Sequence, residues 1–132
     1  MKRVGECAAE AFMGAVLLAA FLGWPGIAAA GKASVVNATA RANGDGTFSF
    51  SASVAHADTG WKHYADKFEV LTPDGKVLGT RVLFHPHVDE QPFTRSLGNV
   101  KIPAGMSHII VRAWDNVHQA GDKTFTIRLP GR

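Results

Sequence analysis

Thr47-Phe48-Ser49-Phe50-Ser51-Ala52-Ser53-Val54-Ala55 is the stretch that decides the fold class. Phe48, Phe50, Ala52 and Val54 fall on one side of an extended chain, and Ser49, Ser51 and Ser53 fall on the other. A period of two turns one apolar face to a core and one hydroxyl face to water, which defines a half-buried β-strand. A helix of the same residues would spread the apolar side chains around its circumference. Asn43-Gly44-Asp45-Gly46 precedes the strand with residues that tolerate positive φ, as a tight hairpin turn requires. Ser34 to Ala42 supplies the partner strand on the far side of that turn.

The pattern repeats outward from this hairpin. Tyr64 to Leu71 and Lys76 to Leu83 flank the turn Thr72-Pro73-Asp74-Gly75. Thr94 to Ile102 follows, then the turn Pro103-Ala104-Gly105 and the alternating run Ser107 to Trp114. Lys123 to Leu129 closes the chain with Phe125, Ile127 and Leu129 on one face. Short β-rich runs separated by turn signals, with no apolar repeat of helical period after Gly31, predict an all-β fold. Seven antiparallel strands in about a hundred residues suit an immunoglobulin-like β-sandwich, with a small barrel as the alternative. Ile109-Ile110-Val111-Arg112-Ala113-Trp114-Asp115-Asn116 resembles the penultimate strand and Asp-Asn corner of many bacterial immunoglobulin-like domains. His56 to Asp66 followed by His85 to Arg95 is similar to small exported bacterial proteins of uncharacterised function. The chain thus resembles an immunoglobulin-like or fibronectin type III-like β-sandwich domain of that kind, which implies a fold and no mechanism.

Residues 1–30 read as an address. Lys2 and Arg3 open the chain, an apolar run spans Ala11 to Trp24, Pro25-Gly26 interrupt it, and Ala28-Ala29-Ala30 offers a small-residue cleavage site. This is the layout of a secretory signal peptide. Glu6 and Glu10 are atypical for such a leader, and an uncleaved anchor is the alternative. The apolar run is shorter than the ~20 residues a membrane span needs. The expectation is a signal peptide over 1–30 and one domain over 31–132, periplasmic or secreted, with no stable membrane insertion after cleavage. Cys7, the single cysteine, leaves with the leader, which excludes disulfides and thiolate metal sites from the rest.

The chain has 132 residues and a net charge of +3. That length excludes a multidomain enzyme, and the dispersed basic residues do not suit nucleic acid. No nucleophile elbow, HExxH or phosphate-binding loop is present, so the expectation is a binding module rather than an enzyme.

Loop parity concentrates the remaining signal. In antiparallel strands successive connections alternate between two ends. The first, third and fifth are tight turns, while the second (His56–His63), fourth (Phe84–Phe93) and sixth (Asn116–Asp122) hold five of the six histidines. Loops at one end of a rigid sandwich are where binding residues gather. Five imidazoles predict a transition-metal site for Cu(II), Zn(II) or Ni(II). His85-x-His87 is the leading unit, because residues i and i+2 of an extended segment point to one side. His56, His63 or His118 would complete the site, and Asp58, Asp89 or Glu90 could ligate or orient a ring. The alternative is a metal-free surface for an envelope protein or a glycan, built from Trp61, His87, Phe93 and Arg95.

Overall fold

In the computed structural model the described residues are 31–132, so the signal-peptide reading lies outside them. They form eight strands: β1 (Ser34–Ala42), β2 (Thr47–Ala55), β3 (Ala65–Leu71), β4 (Val77–Val82), β5 (Phe93–Lys101), β6 (His108–Asp115), β7 (Gln119–Ala120) and β8 (Phe125–Arg128). No helix among them is long and apolar enough to cross a membrane.

All pairings are antiparallel and fall into two sheets. One is β1-β2-β5; the other is β4-β3-β6, with β7 and β8 both on the free edge of β6. This two-sheet, all-β arrangement is consistent with an immunoglobulin-like sandwich. An immunoglobulin constant-type order would move the fourth strand into the sheet of the first, second and fifth. Here β4 stays on β3, through pairs from Lys67↔Val82 to Leu71↔Val77.

The deciding strand behaves as its alternation requires. Phe48, Phe50, Ala52 and Val54 are buried, while Ser49, Ser51 and Ser53 between them are not. Asn43 donates its backbone N–H to Thr47 O at 3.0 Å, and Gly44 and Gly46 hold positive φ of 89° and 87° at the turn. The inner faces of both sheets share one core, in which Phe50, Phe68 and Phe93 are almost fully buried. Each such ring contributes roughly 1.5–3 kcal/mol by burial. Among the described residues the core runs from Ala33 to Leu129.

The expected closing strand Lys123–Leu129 is β8, and the connection before it carries an additional short strand, β7. Trp114↔Ala120 and Asp115↔Gln119 pair β7 with the end of β6, and His108↔Arg128 to Val111↔Phe125 pair β8 with its beginning. Between them the chain bends away to meet β1: Val35 N–H donates to Lys123 O at 2.9 Å. A Cβ on Gly121 would lie 1.9 Å from Ala33 O, so the start of β1 presses backbone on backbone there. This contact ties the two sheets along one side. β7 and β8 share one edge and one direction, so the alternation of loop ends is unchanged.

Gly121→Ala is expected to lower stability by about 1–3 kcal/mol or more, since the obstacle is rigid backbone. For a domain of this size each kcal/mol lowers Tm by roughly 4–8 °C. Thermal unfolding followed by circular dichroism measures it. Gly98→Ala, where a Cβ would meet only Ser49 Oγ at 3.8 Å, should leave Tm nearly unchanged.

Candidate metal centre

Strand ends bring the three histidine-bearing loops to one end of the sandwich. β2 ends at Ala55, β3 begins at Ala65, β6 ends at Asp115, and Ala65 pairs with Asp115 across β3 and β6. His56 therefore leaves β2 beside the place where Asp115 leaves β6. His63 reaches the same spot through a tight turn: His63 N–H donates to Gly60 O at 3.2 Å and Thr59 N–H to His63 O at 3.0 Å. Gly60 stands at φ 139°, which suits glycine.

Asp115 and Asn116 then join the two loops. Asp115 Oδ1 accepts the backbone N–H of Val117 at 2.9 Å and of His118 at 2.6 Å, which shapes the turn after β6. Asn116 Oδ1 accepts Tyr64 N–H at 2.9 Å, and its Nδ2 donates to Trp61 O and Lys62 O.

Three donor atoms converge as a result. His56 Nε2 and His63 Nε2 are 3.2 Å apart, His63 Nε2 lies 3.2 Å from Asp115 Oδ1, and His56 Nε2 lies 3.9 Å from Asp115 Oδ2. In a tetrahedral site with metal–nitrogen bonds of about 2.0–2.1 Å the ligand atoms stand roughly 3.3 Å apart. The two 3.2 Å separations are near that size, and one donor atom from each of the three residues lies within 4.8 Å of the others. Asp115 is 1% exposed, and its Oδ2 has no hydrogen-bond partner among the described residues. An unpartnered buried carboxylate oxygen beside two imidazole nitrogens is the arrangement a cation would satisfy.

His56 is oriented for this. Its Nδ1 lies 2.5 Å from Asp58 Oδ1, so Nδ1–H donates to that carboxylate and Nε2 presents its lone pair to the centre. A carboxylate behind a ligating imidazole is the usual outer support of a metal site. Asp58 Oδ1 also accepts Ala65 N–H at 3.0 Å, and Oδ2 accepts His87 N–H at 2.7 Å. His118 borders the centre, with Nδ1 3.2 Å from Asp115 Oδ1 and a side chain 37% exposed. Burial pushes the Asp115 carboxyl up, but the N–H bonds from His118 and Val117 and the charges of His56 and His118 outweigh it and hold the group below its ordinary range.

The structure separates the residues expected from sequence into two groups. His56 and His63 meet at the centre, His118 adjoins it, and Asp58 takes the orienting place. His85 and His87 do share a side, with ring centroids 4.6 Å apart, as their spacing requires. They form a separate pair, however. His87 is buried, stacked on Phe93 at 3.9 Å, and its Nε2 accepts from Arg95 at 2.9 Å. A guanidinium occupies the lone pair that a metal would need. Arg95 also holds Glu90 at 3.1 Å. Phe93 lies in the core at 1% exposure, so His87, Phe93 and Arg95 pack the fourth loop rather than form an open face. Trp61, by contrast, stands 65% exposed at the tip of its turn.

Asp115 is the member of this cluster that sequence does not single out. It sits in the Asp-Asn corner, and its carboxylate has no signature spacing. The available signals were its place at the histidine-bearing end of β6 and the three-residue spacing to His118.

A protein of Halomicrobium mukohataei named "Putative lipoprotein" is 35% identical to this chain over 96 residues, which are 73% of the chain and 47% of that protein. The chain thus spans about half the length of the curated relative it matches. No protein-family model matches the chain. No solved structure matches it.

Asp58→Ala would leave three buried or part-buried donors without their acceptor. It is expected to cost about 3–5 kcal/mol, the range seen when one partner of a buried pair is removed, measured by urea unfolding. A second outcome concerns pH. Burial lowers the His87 imidazole from its ordinary 6.5, and the nearby Arg95 and His85 lower it further. The unfolded chain then binds a proton that folded His87 refuses. This contribution to stability is fully present above pH 6.5 and is lost as pH falls below it toward the folded value. Between pH 7 and 5 Tm should fall, and fall less steeply in His87→Gln.

Proposed function

We propose that the domain is an exported module that binds one divalent transition-metal ion at the loop end, through His56 Nε2, His63 Nε2 and Asp115, with His118 beside the open side. The observation that carries this reading is the convergence of His56, His63 and Asp115 donor atoms within 4.8 Å of one another, with one buried oxygen of Asp115 lacking a hydrogen-bond partner among the described residues. The nitrogen and oxygen donor set suits Zn(II), Cu(II) or Ni(II). Three protein ligands leave a fourth position for water or for an external group. Export is supported by the leader-like sequence of residues 1–30 and by the name of the haloarchaeal relative. The module's place is at the cell envelope or outside it.

Calorimetric titration of Zn(II), Cu(II) and Ni(II) into the protein tests the reading. A one-to-one isotherm tighter than about 1 µM, or roughly −8 kcal/mol, is expected. His63→Ala and Asp115→Asn should abolish it. Asp58→Asn should weaken it about 10–100-fold through the loss of ring orientation. His85→Ala should leave it intact. Loss of binding in His85→Ala with retention in His63→Ala would move the site to the other histidine pair and overturn the assignment.

A further inference from the structure

We infer that the loop end of the sandwich docks on a lipid bilayer, with Trp61, Phe84, Val88 and Val117 reaching into the interfacial zone. The exposed large apolar residues of the domain are unevenly distributed. Trp61, Phe84, Val88 and Val117 lie on the three loops of the histidine-bearing end, at 65%, 75%, 53% and 52% exposure. Val36, early in β1, and Val82, the last residue of β4, lie toward the same end, which leaves Val77 as the one such residue toward the other. Scattered exposed apolar residues need no account, but a set collected at one end marks an interaction surface.

The form of this surface suits lipid. The four side chains stand on three separate loops, and three of them, Trp61, Phe84 and Val117, line no described groove. A flat, yielding medium can receive separate tips without a matching shape. Trp61 is held in place at its tip: its ring meets Tyr64 edge-on at 5.6 Å, and its carbonyl accepts from Asn116. Lys62 follows it directly. A tryptophan with an adjacent lysine is the combination that favours the boundary between headgroups and acyl chains.

The connection of the chain points the same way. Ser34 pairs with Ala55, so β1 begins at the loop end and Gly31 joins the domain there. The 30 preceding residues, with the apolar run Ala11–Trp24, are therefore attached on the side that carries Trp61 and Phe84. While that segment remains uncleaved, as the anchor reading has it, a chain tethered through it would present this end to the membrane. The inference rests on none of the proposed metal ligands and is independent of the metal reading.

Fluorescence of the full chain with vesicles tests it. Trp24→Phe removes the leader tryptophan, and Trp61's own signal is the difference between that chain and the same chain carrying Trp61→Phe. Vesicles of phosphatidylcholine, with and without phosphatidylglycerol, carry lipids brominated either high on the acyl chain or near its terminal methyl. Trp61 emission should shift to the blue and lose its greater part, with bromines high on the chain quenching more. Phe84→Ser, Val88→Ser and Val117→Ser combined should reverse most of that loss, with the circular dichroism spectrum retained. A chain that associates with vesicles while Trp61 responds to aqueous iodide and not to brominated lipid would overturn the inference, since this end would then face water or a protein. A chain that leaves the vesicles entirely on flotation would overturn it as well.

Discussion

The Asp58 carboxylate is the point on which the loop end depends. It is 6% exposed and accepts three hydrogen bonds, from His56 Nδ1, Ala65 N and His87 N. Those donors belong to the exit from β2, the entry to β3 and the long connection between β4 and β5. One buried anion thus holds three segments that are far apart in sequence. Bonds to a charged acceptor in a poorly hydrated place are strong, and a missing partner there is costly. The Gln91 side chain reinforces the same junction, accepting His56 N–H through Oε1 and donating to His87 O through Nε2.

This arrangement couples architecture to chemistry. The bond that anchors the loops also sets the tautomer of His56 and directs its Nε2 toward His63 and Asp115. Asp115 has a matching double role, because its Oδ1 caps the turn after β6 while its Oδ2 faces the centre without a partner. Two carboxylates therefore divide the work: Asp58 braces one ring from behind, and Asp115 closes the triangle of donors in front. The His87, Phe93, Arg95 and Glu90 group lies on the other side of the Asp58 junction and stabilises the fourth loop by stacking and charge pairing. A stacked imidazole under a guanidinium is a packing element: the His87 Nε2 accepts from Arg95, while its buried Nδ1 has no hydrogen-bond partner among the described residues.

Much of this was legible beforehand. Alternation in Thr47–Ala55 and the Asn-Gly-Asp-Gly turn implied a hairpin because strand geometry has a period of two and glycine admits positive φ. Counting connections places five histidines at one end, and the additional strand β7 in the sixth connection leaves that parity unchanged, since β7 and β8 lie on one edge. The grouping of the histidines is not legible from their spacing. His85 and His87 stood out through sequence proximity, yet proximity along the chain leaves open what fills the space around the rings. Arg95, eight residues on from His87, supplies that filling through the register of β5.

The sequence by itself determined the all-β class, the tight-turned and loop-bearing ends, and the gathering of imidazoles at the latter. These follow from local periodicity and from the parity of antiparallel strands, which require no knowledge of distant contacts. Only the tertiary structure decided which donors converge. His56, His63 and Asp115 are seven and 52 residues apart along the chain, and their meeting depends on β3 pairing with β6 so that Ala65 faces Asp115. Strand pairing is a non-local hydrogen-bond choice, and the position of one buried carboxylate relative to another is set by that choice rather than by the residues on either side of it.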